Sequence, residues 1–245
     1  PEKILLGSLA GSGTLGLLIP PSIILIIYGV TVQESIAKLF IAGIIPGIMI
    51  ALIFMGYVIV WSLLNKNKMP INYENFSFLN KLGKSKQLIP VILLILGVIG
   101  SIYTGIATAT EAASLGVVGA LILSYFQKSL TLKTFKDSLL GATKTSCMIA
   151  FILAGATFLS LAMGFTGLPR NLALWIQNME LSPYVLIFVL MIFYIILGMF
   201  LDGISAVVLT MAIIEPMIRQ AGFDMIWFGI FLVIVVEMAQ ITPPV

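Results

Sequence analysis

Histidine is absent from the 245 residues, and cysteine occurs once, as Cys147 inside an apolar run. A disulfide framework is thereby excluded, as are a His/Cys metal site and a histidine-dependent catalytic triad within this chain. Charge is scarce too: Asp, Glu, Lys and Arg make up 9% of the residues, against roughly a quarter in an ordinary soluble domain. No GxxxxGK[ST] loop is present to cradle phosphates, which disfavours an ATP-driven pump. What is abundant is apolar: 60% of the residues are hydrophobic and the mean hydropathy is +1.16. The chain therefore reads as an all-α polytopic membrane protein with no nucleic-acid partner and no cofactor. It begins at Pro1 without Met or a signal-peptide pattern and stops inside a motif, so it is expected to be a fragment of a longer subunit.

Taken in order, residues 1–30 form an apolar stretch long enough to span a bilayer, but it is interrupted by Gly11-Ser12-Gly13-Thr14, Gly16 and Pro20-Pro21. Proline removes a donor and clashes with the preceding turn, so two half-helices around an unwound centre are expected. Residues 31–64 read as a short interfacial helix over Val32 to Phe40 followed by a scaffold span to Leu64. Residues 65–87 are a polar linker with Lys66, Lys68, Lys81, Lys84 and Lys86 against one acid, Glu74, and are cytoplasmic by the positive-inside rule. Residues 88–182 hold two apolar arms around Thr104 to Glu111, a further span, and an amphipathic segment from Pro169 to Leu181. Residues 183–223 read as a hairpin with Asp202 at its tip. Its exit arm, Ala206 to Ile218, is roughly 13 residues or about 20 Å, which suggests re-entry from the outer side. Residues 224–245 form a second broken helix. In this topology ten of the thirteen Lys and Arg residues lie on the cytoplasmic side. The two Pro-Pro segments run antiparallel, as inverted repeats demand.

Four acids lie at or near membrane depth: Glu111, Asp202, Glu215 and Glu237. Each needs a partner or a wet cavity, because a bare carboxylate there costs several kcal/mol. Asp202, Gly203 and Ser205 at the hairpin tip offer a carboxylate, free backbone and a hydroxyl to a hard cation such as Na⁺; helix capping by Asp202 is the competing explanation. Ser12, Gly13, Thr14 and Gly16 at the first break, with Gln240, Thr242 and Pro243 at the second, complete the candidate Na⁺ ligands. Close helix packing through small residues would account for the glycines alone. Thr14, Pro20, Pro21, Thr108, Thr110, Glu111 and Ser205 are the candidate substrate contacts, although Thr110 and Glu111 also suit the start of a helix. Glu215, just before Pro216, reads as a solvated helix end.

The runs GTLGLLIPPSIILIIYG, SIAKLFIAGIIPGIM, GIATATEAASLGVVGAL, ILGMFLDGISAVVLT and WFGIFLVIVVEMAQITPPV resemble, in this order and over nearly the whole chain, the large membrane subunit (DctM-like) of tripartite ATP-independent periplasmic (TRAP) transporters. The resemblance implies an elevator-type, Na⁺-coupled importer in the bacterial inner membrane, built from inverted repeats with re-entrant hairpins and discontinuous helices. It further implies a small membrane subunit (DctQ-like), a periplasmic solute-binding protein (DctP-like) and an organic acid as cargo, such as a C4-dicarboxylate or a sialic acid. Many members have proline where this chain has Ala109 and Gly203. The first change removes a rigid ring, and the second makes the hairpin tip more flexible. The expected mechanism has Na⁺ bound where the hairpin tip meets Gln240 to Pro244 and around Ser12 to Thr14, with the anion between. Two alternatives remain open at this point: an inverted-repeat symporter working without a binding protein, and an ion channel.

Overall fold

The computed structural model describes residues 2–68, 88–178 and 182–242. Among them every regular element is helical. We number the α-helices α1 Glu2–Thr14, α2 Ile23–Val32, α3 Ile36–Leu64, α4 Ile89–Tyr103, α5 Ala109–Phe126, α6 Leu132–Thr166, α7 Leu168–Asn178, α8 Pro183–Gly198, α9 Gly203–Gln220 and α10 Met225–Ile241. By length and composition α3, α5, α6 and α9 are each able to cross a membrane, and shorter apolar helices accompany them. The protein is thus an all-α, multi-pass membrane protein.

The chain divides into two compact units, Tyr57–Thr143 and Glu2–Gly56 with Lys144–Val245. In the first, α4 packs on α5. Gly119 of α5 lies against the Leu94 side chain, and Gly116 lies where a Cβ would come 3.3 Å from Val98. These small residues let the two helices approach closely.

The second unit carries the core. Its helix α10 packs against α8, α9, α2 and α1. A fully buried set including Tyr28, Tyr194, Phe228, Met211 and Leu232 fills the space between them. Gly229 faces the Tyr28 ring directly, and the Tyr28 hydroxyl donates to the Met225 carbonyl at 2.6 Å. A buried hydroxyl needs such a partner, and this one ties the middle of α2 to the first residue of α10.

Three local expectations are corrected. The stretch Gly11 to Thr14 is helical, and the first break lies later: a single 3₁₀ turn, Leu15–Leu17, is followed by irregular chain to Ser22. The cause is the pair of prolines, which lack the amide hydrogens a continuing helix would use; the Pro20–Pro21 bond is cis. Val32 to Phe40 does not form a separate interfacial helix. Gln33 takes a left-handed conformation (φ 58°) that ends α2, and Ile36 begins the 29-residue α3. The exit arm of the hairpin runs Gly203–Gln220, 18 residues, straight through Pro216. At about 1.5 Å per residue it approaches the hydrocarbon thickness, so its length does not distinguish a re-entrant arm from a spanning one.

Candidate functional site

Within the second unit, the structure brings three separated stretches to one junction: the first break, the tip between α8 and α9, and the last turns of α10. Glycines make this approach possible. A Cβ on Gly203 would lie 2.8 Å from Ile24 Cδ1, 2.8 Å from Val236 Cγ1 and 2.9 Å from Gln240 Nε2. A Cβ on Gly198 would lie 2.6 Å from that of Ala239. The start of α9 therefore touches both the start of α2 and the end of α10, although these elements lie far apart in sequence.

Each element ends for an identifiable reason. Ser22, fully buried, accepts from the Leu25 amide at 3.3 Å as the N-cap of α2, and its hydroxyl donates to the Leu17 carbonyl. Asp202 is extended (φ −66°, ψ 156°), and its carboxylate accepts from the Ser205 amide at 3.1 Å. Thr242 is extended after α10, and its hydroxyl donates to the Met238 carbonyl at 2.7 Å. Two helix amino ends, those of α2 and α9, thus converge. Each presents unsatisfied amides and the positive end of a peptide dipole, the arrangement that attracts an anion.

The candidate hydroxyls at the first break have local partners. Ser12 donates to the Leu9 carbonyl at 3.1 Å and Thr14 to the Gly11 carbonyl at 3.0 Å, within α1. A hydroxyl so engaged keeps lone pairs for a cation, but it is not released by an unwound backbone. Gly13 and Gly16 are exposed, with open space where a Cβ would go. Pro20 is buried and Pro21 exposed in the break. Gln240 lies against Gly203, as above, whereas Pro243 falls outside the described residues.

The candidate substrate contacts Thr108, Thr110 and Glu111 belong to the other unit. There Thr108 caps α5: its hydroxyl accepts from the Glu111 amide at 3.3 Å, while the Glu111 carboxylate accepts from the Thr108 amide and hydroxyl at 2.8 Å each. This reciprocal capping box occupies one Glu111 oxygen, Oε2, and gives Thr108 and Glu111 a structural role. Glu215 likewise accepts from Arg219 at 2.9 Å, and Arg219 also pairs with Glu34 and donates to the Val32 carbonyl.

One residue stands apart. Glu237 is 4% exposed, and neither of its carboxyl oxygens has a hydrogen-bond partner among the described residues. The Thr14 hydroxyl, which bonds the Gly11 carbonyl at 3.0 Å, is the polar side chain that bears on it. The signal in the sequence was a lone acid inside FLVIVVEMAQ; what was illegible was that this acid faces the end of α1.

The profile of the family described as "Tripartite ATP-independent periplasmic transporter, DctM component" matches residues 1–245. Among curated proteins, the C4-dicarboxylate TRAP transporter large permease protein DctM of Pseudomonas aeruginosa is 31% identical, covering 100% of this chain and 57% of that protein. Its namesake from Rhodobacter capsulatus is 32% identical, with 100% of this chain and 58% of the relative covered. The isethionate TRAP transporter permease protein DctMQ of Oleidesulfovibrio alaskensis is 31% identical over 96% of this chain and 37% of its own length. The chain thus spans little more than half of the first two.

Proposed function

The chain belongs to the family of the DctM component of tripartite ATP-independent periplasmic transporters, a family of transporter permease subunits rather than enzymes, and from that premise we propose that it serves Na⁺-coupled import of a small organic acid. The setting is the bacterial inner membrane, with a small membrane subunit beside it and a periplasmic solute-binding protein delivering the cargo. The observation that carries this reading is the junction itself, where Gly203 meets Ile24 and Gln240. Two interrupted helical segments meeting a hairpin tip are the arrangement by which secondary transporters expose helix ends to substrate and ions.

The anion sits at the converging amino ends of α2 and α9, with the Ser205 hydroxyl and the backbone amides as donors. The relatives' names cover a dicarboxylate and isethionate, a sulfonate, so the cargo class is a small organic anion rather than one particular acid. Cations organise the tips on the carboxyl-terminal sides of α1 and α10. Asp202, Gly203, Ser205, Gln240, Thr242 and Pro243 serve one site, and Ser12, Gly13, Thr14 and Gly16 the other. Coupling is then a linkage: ions that order the tips raise affinity for the anion, and the anion raises affinity for the ions to the same degree. A re-entrant hairpin carried across the membrane by an elevator movement is part of the same proposal.

The test is uptake into proteoliposomes holding the complete large and small subunits, with a panel of labelled organic acids supplied on the cognate binding protein. Uptake driven by an inward Na⁺ gradient and abolished when choline replaces Na⁺ is expected. Uptake of equal rate in choline would refute Na⁺ coupling.

A further inference from the structure

We infer that Glu237 is the anionic ligand of a monovalent-cation site at the first break, completed by the Thr14 hydroxyl and the carbonyl end of α1, and that the cation is Na⁺. This rests on the Na⁺-coupled reading above and adds to its ligands Glu237, the residue that opens the second break motif.

Three observations point the same way. Glu237 lies in the last two turns of the buried helix α10, and both carboxyl oxygens are shut away from solvent with no hydrogen-bond partner in reach among the described residues. Burial of an unpaired carboxylate is strongly unfavourable, so native proteins supply a partner ion or a proton. The groups that reach it are themselves electron-rich. The Thr14 hydroxyl, which bonds the Gly11 carbonyl at 3.0 Å, also bears on Glu237, and its oxygen has lone pairs to offer a cation. α1 and its 3₁₀ continuation, which pack on α10, end at Thr14 to Leu17, where helix carbonyls carry the negative end of the dipole. A carboxylate, a hydroxyl oxygen and a helix carboxyl terminus brought together without a cation repel one another.

Arg219, the one basic side chain described on the elements packed against α10, does not supply the charge. Besides Glu2 and Lys3, which begin α1 eleven or more residues before Thr14, the charged or titratable groups on those elements are Tyr28 on α2, Tyr184 and Tyr194 on α8, Asp202 at the cap of α9, and Glu215 and Arg219 on α9. Tyr28 is bonded to Met225 and Tyr194 shares a 2.6 Å hydrogen bond with Thr210. Arg219 is bound to Glu215 and Glu34. None of these bonds involves Glu237. The donor set also selects the ion. All candidate ligands are hard oxygens, and one carboxylate among neutral oxygens leaves no net charge with a monovalent cation, whereas calcium and magnesium sites gather more carboxylate and water.

The experiment uses the complete large subunit with its small partner, purified in detergent, and reads both radioactive-sodium binding and the thermal midpoint in NaCl, KCl and choline chloride. Wild type is expected to be stabilised by Na⁺ over choline. Outer-shell partners of a bound metal are already worth roughly 10–100-fold in affinity, so Glu237→Gln, which keeps the shape and removes the charge, is expected to need at least about tenfold more Na⁺ for half its effect. Glu237→Asp and Thr14→Val, read in parallel should the glutamine variant fail to insert, are expected to shift the same half-point to a smaller degree.

A Glu237→Gln half-point equal to wild type, in a preparation whose uptake still needs Na⁺, overturns this inference and leaves the Na⁺-coupled reading standing. Uptake that never needed Na⁺ removes both. Stabilisation of wild type by acid in choline, equal to that by Na⁺ and lost in Glu237→Gln, makes a proton the occupant and overturns the assignment to Na⁺. Stabilisation by K⁺ equal to that by Na⁺ overturns it likewise.

Discussion

Alanine at Gly203 tests whether the junction is as tight as its geometry implies. The added methyl would sit at 2.8 Å from Ile24 Cδ1 and Val236 Cγ1 and at 2.9 Å from Gln240 Nε2, whereas carbon atoms rest at about 3.5–4.0 Å. Gln240 is long and only partly buried, so its amide can swing aside. Ile24 and Val236 cannot, because they are 2% and 0% exposed, and a β-branched side chain has few rotamers to retreat to. Relief must come from the backbone, moving the tip away from α2 and α10. Overpacking of this kind typically costs about 1–3 kcal/mol. Against it stands the helix propensity of alanine, worth up to about 1 kcal/mol over glycine in a helix interior and less at a first helical residue. The net expectation is a loss of roughly 1–2 kcal/mol, a drop of a few degrees in the thermal midpoint of the complete subunit. Gly13→Ala is the internal control. It sits inside α1 with nothing within 4 Å of the new methyl, so the same chemical change there should be neutral or slightly stabilising. Thermal midpoints of the two variants, by tryptophan fluorescence in one detergent, decide the matter. Gly203→Ala as stable as wild type, or Gly13→Ala the worse of the two, would refute the reasoning.

Three other outcomes follow from the same contacts. Tyr28→Phe removes a fully buried hydroxyl that donates to Met225 and is expected to cost about 1 kcal/mol, the usual net worth of such a bond, read as a lowered unfolding midpoint. Asp202→Asn keeps an amide oxygen able to cap Ser205, and asparagine caps about as well as aspartate, so stability should hold within about 0.5 kcal/mol. If the carboxylate also serves a cation, the Na⁺ half-point for uptake rises while the midpoint does not move, which separates the two roles of the residue. Glu215→Gln breaks a surface pair with Arg219 and should change stability by no more than about 0.5 kcal/mol, a difference erased in high salt.

The helices were legible because apolar runs and their punctuation sit at the same places: Thr108 before α5, Ser182 before α8, Asp202 before α9 and Asp224 before α10 each cap the helix they precede. Capping depends only on side chains within a few residues, which is why sequence carries it. The misplacements came from weaker local signals. Glycine and serine at Gly11 to Thr14 suggested unwinding, yet a helix tolerates them when the hydroxyls bond back to its own carbonyls, as Ser12 and Thr14 do. The real stop was at the prolines, where the backbone lacks a donor whatever the surroundings. Val32 to Phe40 failed for the opposite reason. Its helical periodicity was real only from Ile36 onward, and the left-handed turn at Gln33 that ends α2 is not a residue choice that announces itself.

The site was harder to read than the fold because polar residues at membrane depth do two kinds of work that look alike in sequence. Asp202 and Glu111 both begin helices and both accept backbone amides, so their charge is met locally and neither by itself requires a ligand. Glu237 has no such local use. It stands inside α10, four residues before the helix ends, where the preceding turn has no free amide to offer, and part of its surroundings comes from α1, more than two hundred residues earlier in the chain. Only tertiary structure reveals which acid is already satisfied and which is not. An acid at a helix start is explained by the helix, whereas an acid buried inside a helix, near the carbonyl end of another, needs a proton or a cation from elsewhere. On that ground Glu237 ranks above the hydroxyls and glycines of either break motif as the residue on which to test the proposed cation.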